Sequence, residues 1–526
     1  MQIKRALFWV LLAAFIILPC WWVFHFPFYP KLVCRVVPSD ATLATRHIAP
    51  AERCFVLMKS PAVTNVAAAV GADARRVSMA LELPAVQRLV GILGKRYVAT
   101  AYVPAMAPQM EPAVLFGAWI GGYSQLLRWG LADRYFSGFS VHRLPHACRV
   151  WVKPCDDIKA GYSLSLTVHE GVMVGCFSSE PLGVLYILPR LLRQAPASKL
   201  VADWVNGPVD VAGPDDLRFV GFPFSQTFPL CGTLQHVSAT DLTMEFAAPH
   251  LDRTSPLGRL LPSPKAGLLS AAGRAPLGDC PTLLVEAPVS QIAPSLLTWG
   301  AGKNIQGVWS SLQSSFRLEG PAAVFASGGD FYGRIMGMRV PAFGIAMPLA
   351  AGVEADAAIL EILDVLNAAY GLGLVATPDS RDPRIRVIAS VRNSALKRLK
   401  GDERLAVAIE DDWLIGVSNV GVLRQMMEPP LSRRARSGEC ADLCADGSVV
   451  TGWANLAESS DLFTKALAGY TLISLLEGGG SAPTKRYDTA SLKTAIRVLG
   501  EFGDFSAHLR PQSSSLLLHA ELSLVP

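Results

Sequence analysis

Two stretches decide the fold: Leu164-Ser165-Leu166-Thr167-Val168-His169-Glu170-Gly171-Val172-Met173-Val174-Gly175 and Leu405-Ala406-Val407-Ala408-Ile409-Glu410-Asp411-Asp412-Trp413-Leu414-Ile415-Gly416. Aligned without a gap, Leu164 falls on Leu405, Val168 on Ile409 and Gly175 on Gly416. In the first, Leu164, Leu166 and Val168 alternate with Ser165 and Thr167, the two-residue period of a half-buried strand. A charged turn reverses the chain and a second apolar strand follows. Both copies then run toward a helix, Pro181 to Arg193 in one and Val422 to Met426 in the other. The chain therefore carries one strand pair twice.

The elements around each pair fall in a similar order, which points to a duplicated unit. Phe55 to Pro61 reads as a strand that ends on a proline, and Thr282 to Pro288 echoes it. Tyr97 to Val103 and Ala113 to Ile120 read as neighbouring strands, as do Ala322 to Ala326 and Phe343 to Pro348. The periodic run Ala355 to Tyr370 puts Ile359, Ile362, Leu363 and Leu366 on one helical face. Each unit ends in further strands, near Leu234 to Phe246 and Phe505 to Leu524. The expected class is α+β: two related units of mainly antiparallel sheet with helices on one face, after one N-terminal transmembrane helix. The expected segments are an anchor over 1–30, a stalk over 31–50, a first unit over 51–252, a linker over 253–280 and a second unit over 281–526. A helical insertion is expected near 457–503.

The anchor rests on Lys4 and Arg5, followed by an uncharged run from Ala6 to Phe24, about the ~20 residues that cross a bilayer as a helix. The early cations hold the N-terminus in the cytoplasm and send the rest across. The aromatic residues Trp21, Trp22, Phe24, Phe26, Phe28 and Tyr29 stand where a signal peptide would need small ones, which favours an uncleaved anchor.

Composition agrees with an apolar, exported chain. Of 526 residues, 51% are hydrophobic and 17% charged, and the mean hydropathy is +0.33. The net charge of +5 is spread along the chain, against the concentrated basic stripe of a nucleic-acid binder. Of the ten cysteines, the pairs Cys440 with Cys444 and Cys148 with Cys155 are close enough for small disulfides. Cys54 and Cys176 sit among apolar neighbours as buried thiols would.

The anchor, the two strand pairs, the run Phe55 to Pro61 and the terminal strands together resemble an uncharacterised family of exported bacterial proteins. The resemblance spans most of residues 50 to 525. It implies this topology and a periplasmic location, with the chain held in the inner membrane by a single pass. It carries over no activity and no functional residue.

Candidate chemistry is sparse. Ser394 and Lys397 have the Ser-x-x-Lys spacing in which the amine activates the hydroxyl, but no Lys-Thr-Gly or Ser-Asp-Asn follows. A surface Ser and Lys explains them more simply. His142, His146, Cys148 and Cys155, with Asp156 and Asp157, form the densest group of potential metal ligands, at spacings that match no standard zinc pattern. A hairpin is the simpler account. Gly371 and Gly373 follow a helix rather than a strand, so they end that helix and do not bind a dinucleotide. Arg433, Arg434 and Arg436 read as a solvated linker.

No cofactor and no nucleic-acid partner is expected. The expected role is a non-catalytic envelope protein that binds a protein partner or an apolar ligand. A lipid-handling protein and a serine- or metal-dependent hydrolase are the alternatives.

Overall fold

The computed structural model describes most of residues 25–248 and 281–524. The longest stretches outside that description are most of 1–24, most of 249–280, 291–304, 429–447 and 466–492. Contacts divide the chain into Met1–Ala239 and Thr240–Pro526. Both are α+β, built on antiparallel sheet.

In the first unit the strands are β1 (Leu43–Ile48), β2 (Tyr97–Val103), β3 (Ala113–Trp119), β4 (Ser140–Leu144), β5 (Cys148–Pro154), β6 (Ser163–His169), β7 (Val172–Ser178), β8 (Asp215–Gly221) and β9 (Gln226–Val237). Side by side they run β9-β8-β1-β2-β3-β7-β6-β5-β4, every pair antiparallel.

The second unit has β10 (Asp241–Ala248), β11 (Pro281–Pro288), β12 (Pro321–Ser327), a small hairpin of β13 (Gly333–Ile335) and β14 (Met338–Val340), and β15 (Ala342–Pro348). It continues with β16 (Leu374–Pro378), β17 (Ile385–Ser390), β18 (Leu405–Glu410), β19 (Trp413–Val417), β20 (Val450–Asn455), β21 (Asp504–Gln512) and β22 (Ser515–Ser523). Their spatial order is β10-β22-β21-β20-β11-β12-β15-β19-β18-β17-β16, again all antiparallel.

From β9 to β4 and from β21 to β16, the two orders are the same. Even the register of the opening strand pair agrees: Leu166 faces Gly175, and Val407 faces Gly416.

Each sheet has helices on both faces, not on one. In the second unit, helix Ala355–Tyr370 packs through Ala358, Ile359 and Leu363 with Ile388 and Leu414. Helix Val420–Met427 packs through Val422 and Leu423 with Ala406, Ala408 and Ile415. Leu414 and Ile415 are consecutive on β19, so these helices lie on opposite sides. In the first unit Ser165 and Thr167 occupy the places of Ala406 and Ala408 and are buried as well. Small side chains let a helical segment approach the sheet closely, and the Ser165 hydroxyl accepts the Val184 N–H at 3.0 Å. Alternation marked the strand correctly, but the polar face is covered by a short helical segment.

Several elements differ from expectation. Phe55 to Met58 belongs to helix Ala51–Met58, and the place opposite β11 in the repeat is taken by β1. Residues 31–50, expected as a stalk, hold the helical turn Pro30–Cys34, whose Leu32, Val33 and Cys34 are buried, followed by β1. Strand β10 pairs with β22 from Asp241 to Ala248. The helix expected over 181–193 is a 3-10 turn, Gly183–Tyr186, followed by the short helix Leu188–Leu191. Of the expected insertion, residues 456–465 and 496–499 are helical.

Among the described residues no helix is long and apolar enough to cross a membrane. Almost all of the run Ala6 to Phe24 lies outside the description. The aromatic residues that follow it pack on the first unit: Phe28 meets Trp119 and Tyr97 edge-on, and Phe26 joins the buried cluster.

Candidate functional site

Strands β2, β1 and β8 lie side by side, and their alternation sends two sets of polar residues to opposite faces. On one face Thr45 and His47 of β1 stand beside Thr100 of β2 and Asp215 of β8. Asp215 Oδ1 lies 2.6 Å from His47 Nδ1 and accepts Arg53 Nη2 at 2.7 Å. His47 Nε2 is 2.9 Å from Thr45 Oγ1, which is 2.7 Å from Thr100 Oγ1.

An ionised carboxylate only accepts, so Nδ1 carries the proton toward Asp215, and in the neutral ring Nε2 accepts from Thr45. The chain carboxylate–imidazole–hydroxyl is the arrangement that activates a nucleophile in acyl transfer. It lacks the second half of that machinery. The backbone around Thr45 is committed to ladders with both β2 and β8, so among the described residues no backbone N–H pair there is aimed at a carbonyl oxygen. The Thr45 oxygen is itself closed onto Thr100.

On the opposite face Arg46, Asp216 and Arg218 are buried around Trp204. Asp216 accepts from Trp204 Nε1 at 2.7 Å and from Arg218 Nε and Nη2 at 3.1 and 2.9 Å. Arg218 also bonds Asp203 and the Leu200 carbonyl, and its guanidinium lies 4.8 Å over the Trp204 ring. Burial works against the charge on Arg218, but Asp203 and Asp216 outweigh it and hold its pKa above the ordinary value. Arg46, 3% exposed, lies 3.7 Å from Asp216, and its Nε and Nη2 have no hydrogen-bond partner. Beside it the Cys34 thiol is 3.5 Å from the Tyr97 hydroxyl and is pushed up to about 11 by burial.

Matching registers place Glu286 at the position of Arg46 and Thr451 at that of Asp216, and both are buried. Each unit thus keeps polar side chains at this place in its sheet, without keeping their charges.

The residues singled out from the sequence are not brought into a site. Ser394 lies outside the described residues, and the Lys397 N–H donates to the Asn393 carbonyl. His142 is exposed on β4, 3.2 Å from Ser140 Oγ, and His146 is outside the description. Cys148 is on β5, while Cys155 is a free, buried thiol 3.5 Å from the Lys153 carbonyl. Its disulfide with Cys148 is not formed. Asp156 accepts the Gly161 N–H in a turn, and Cys440 and Cys444 lie outside the description. Among the described residues no group of three or more His, Cys, Asp or Glu is placed to hold a metal ion.

His508 on β21 stacks on His519 of β22 with centroids 4.7 Å apart. Burial, His519 and Arg510 push it down to about 4. His47 and Asp215 gave no local signal, because 168 positions separate them in the chain.

No family model matches this chain, and no curated protein does. A solved structure titled "Structure of crystal form I of TP0453" is similar at 8% identity over 75% of this chain and 96% of that one, with a TM-score of 0.22. A likeness at that score carries no argument about fold or function.

Proposed function

We propose that this chain is a single-pass envelope protein, held in a bacterial inner membrane by residues 6–24, with a duplicated α+β body in the periplasm that acts by binding rather than by chemistry. The observation that carries the binding reading is that these polar groups, apart from the buried Arg46 Nε and Nη2, close on one another. Asp215, His47, Thr45 and Thr100 form a chain with no amide pair among the described residues to serve a reaction, and Arg218 is held between the buried Asp216 and the exposed Asp203. The matching strand orders support duplication. The contact of Phe26 and Phe28 with the first unit suits a body that begins directly at the bilayer, with no stalk between.

Reporter fusions after Pro526 test the topology. An alkaline phosphatase fusion is expected to be active and to stay with the membrane after an alkaline carbonate wash. An inactive phosphatase with a fluorescent cytoplasmic reporter, or release by the wash, overturns it.

A hydrolase is the second reading, and the Asp215–His47–Thr45 geometry favours it over the Ser394 and Lys397 or His142 alternatives. A fluorophosphonate probe is expected to leave the purified chain unlabelled. Labelling that disappears in Thr45→Ala would replace the binding reading with an acyl-transfer one.

A further inference from the structure

The stretch 51–93 forms four short helices, Ala51–Met58, Pro61–Ala69, Ala74–Glu82 and Pro84–Leu93. It is dominated by Ala, Val, Leu, Met and Phe, yet among its described side chains only Ser60 and Ala62 are buried. Phe55, Val56, Leu57 and Met58 are all only partly buried. Met79 is 60% exposed, Leu83 52% and Leu89 45%. Among the described side chains of helix Ala74–Glu82, Arg75, Met79 and Glu82 are exposed, spaced four and three apart along one stripe. A single exposed leucine needs no explanation, but an apolar helical layer with so few of its described side chains fully buried does.

Two observations say what covers it. The first is charge: the exposed ionisable residues described over 51–96 include the cations Lys59, Arg75, Arg88, Lys95 and Arg96, against the acids Glu52 and Glu82. Apolar side chains fringed by Lys and Arg match the boundary between acyl chains and anionic headgroups. The second is position: Arg96, just past helix Pro84–Leu93, lies 5.4 Å over the ring of Phe28, four residues beyond the end of the apolar run. Ile92 and Leu93 of that helix pack into the same cluster as Leu127 of helix Tyr123–Arg128. Tyr123 and Trp129 at the ends of that second helix are exposed, the residue types that settle at headgroup depth.

We infer that the helical layer 51–93, with Tyr123 and Trp129, is a membrane-contact face that lies on the anionic bilayer surface where the anchor emerges. This rests on the anchored reading above, and the test separates the two. The full chain is reconstituted into phosphatidylcholine vesicles with or without phosphatidylglycerol. Flotation reads anchoring, and hydrogen exchange reads the face.

The expected result is flotation with both vesicles, with amides of 51–96 exchanging at least about tenfold more slowly when phosphatidylglycerol is present. The double variant M79D/L89D should abolish that protection and leave exchange in 97–103 and 163–178 unchanged, which shows that it still folds. Flotation with equal exchange of 51–96 in both vesicles overturns the contact face and leaves the anchor standing. Failure to float removes the anchored reading and this one with it. Protection that appears without lipid and rises with protein concentration assigns the face to a second copy of the chain, and overturns the inference.

Discussion

The Asp379 carboxylate accepts Arg424 Nε at 2.8 Å and Nη2 at 2.6 Å, and the backbone N–H groups of Arg381 and Asp382 as well. Arg424 is the main cause that holds this carboxyl down to about 2, below its ordinary 3.8. A depressed acid stabilises the fold fully above its ordinary value, and that stability is lost as pH falls from there through about 2. At neutral pH the contribution is on the order of 2 kcal/mol. Asp379→Asn is therefore expected to lower stability toward urea by about that amount at pH 7, with the difference from wild type vanishing near pH 2. A difference that stayed constant with pH would mean the variant acts by packing instead. None of this was legible locally, because Asp379 and Arg424 are 45 positions apart.

Among the elements, the repeated strand pair shows how far an alignment reaches. Gly175 and Gly416 were matched by spacing, and they do hold the same register against Leu166 and Val407. Their surroundings differ. A Cβ on Gly175 would come within 2.1 Å of the Phe116 ring, whereas one on Gly416 would meet its nearest neighbour, Ile345, at 3.6 Å. Gly175→Ala should cost about 1–3 kcal/mol as an overpacked core substitution, and Gly416→Ala within about 0.5. Thermal unfolding of both variants checks this, and equal shifts would refute it. The turns were legible too. His169 faces Val172 across a two-residue loop with φ of 41° at Glu170 and 82° at Gly171, the paired positive values of a tight hairpin. Helix Ala355–Tyr370 ends where its glycine predicts, with Gly371 left-handed at φ 62°. Phe55 to Met58 was misread because four apolar residues in a row have no period of their own, and a helix uses such a run as readily as a strand does.

At the scale of the whole molecule, each unit has its own buried clusters. Val150, Leu115 and Cys176 lie in the first, and Phe325, Ile415 and Leu423 in the second. The strain of Gly175→Ala should accordingly raise hydrogen exchange across β2 to β7 and leave β12 to β19 at wild-type rates. A uniform rise would mean that the two cores unfold as one. The repeat, the hairpins and most strand limits were legible in the residues alone, because a two-residue period and the turn chemistry depend only on neighbours a few positions apart. Tertiary structure alone decided that helices cover both faces, and that β10 pairs with β22. It also decided that His47, Thr45 and Asp215 meet. Strand pairing joins residues far apart in the chain, and no local pattern records which distant strand lies alongside.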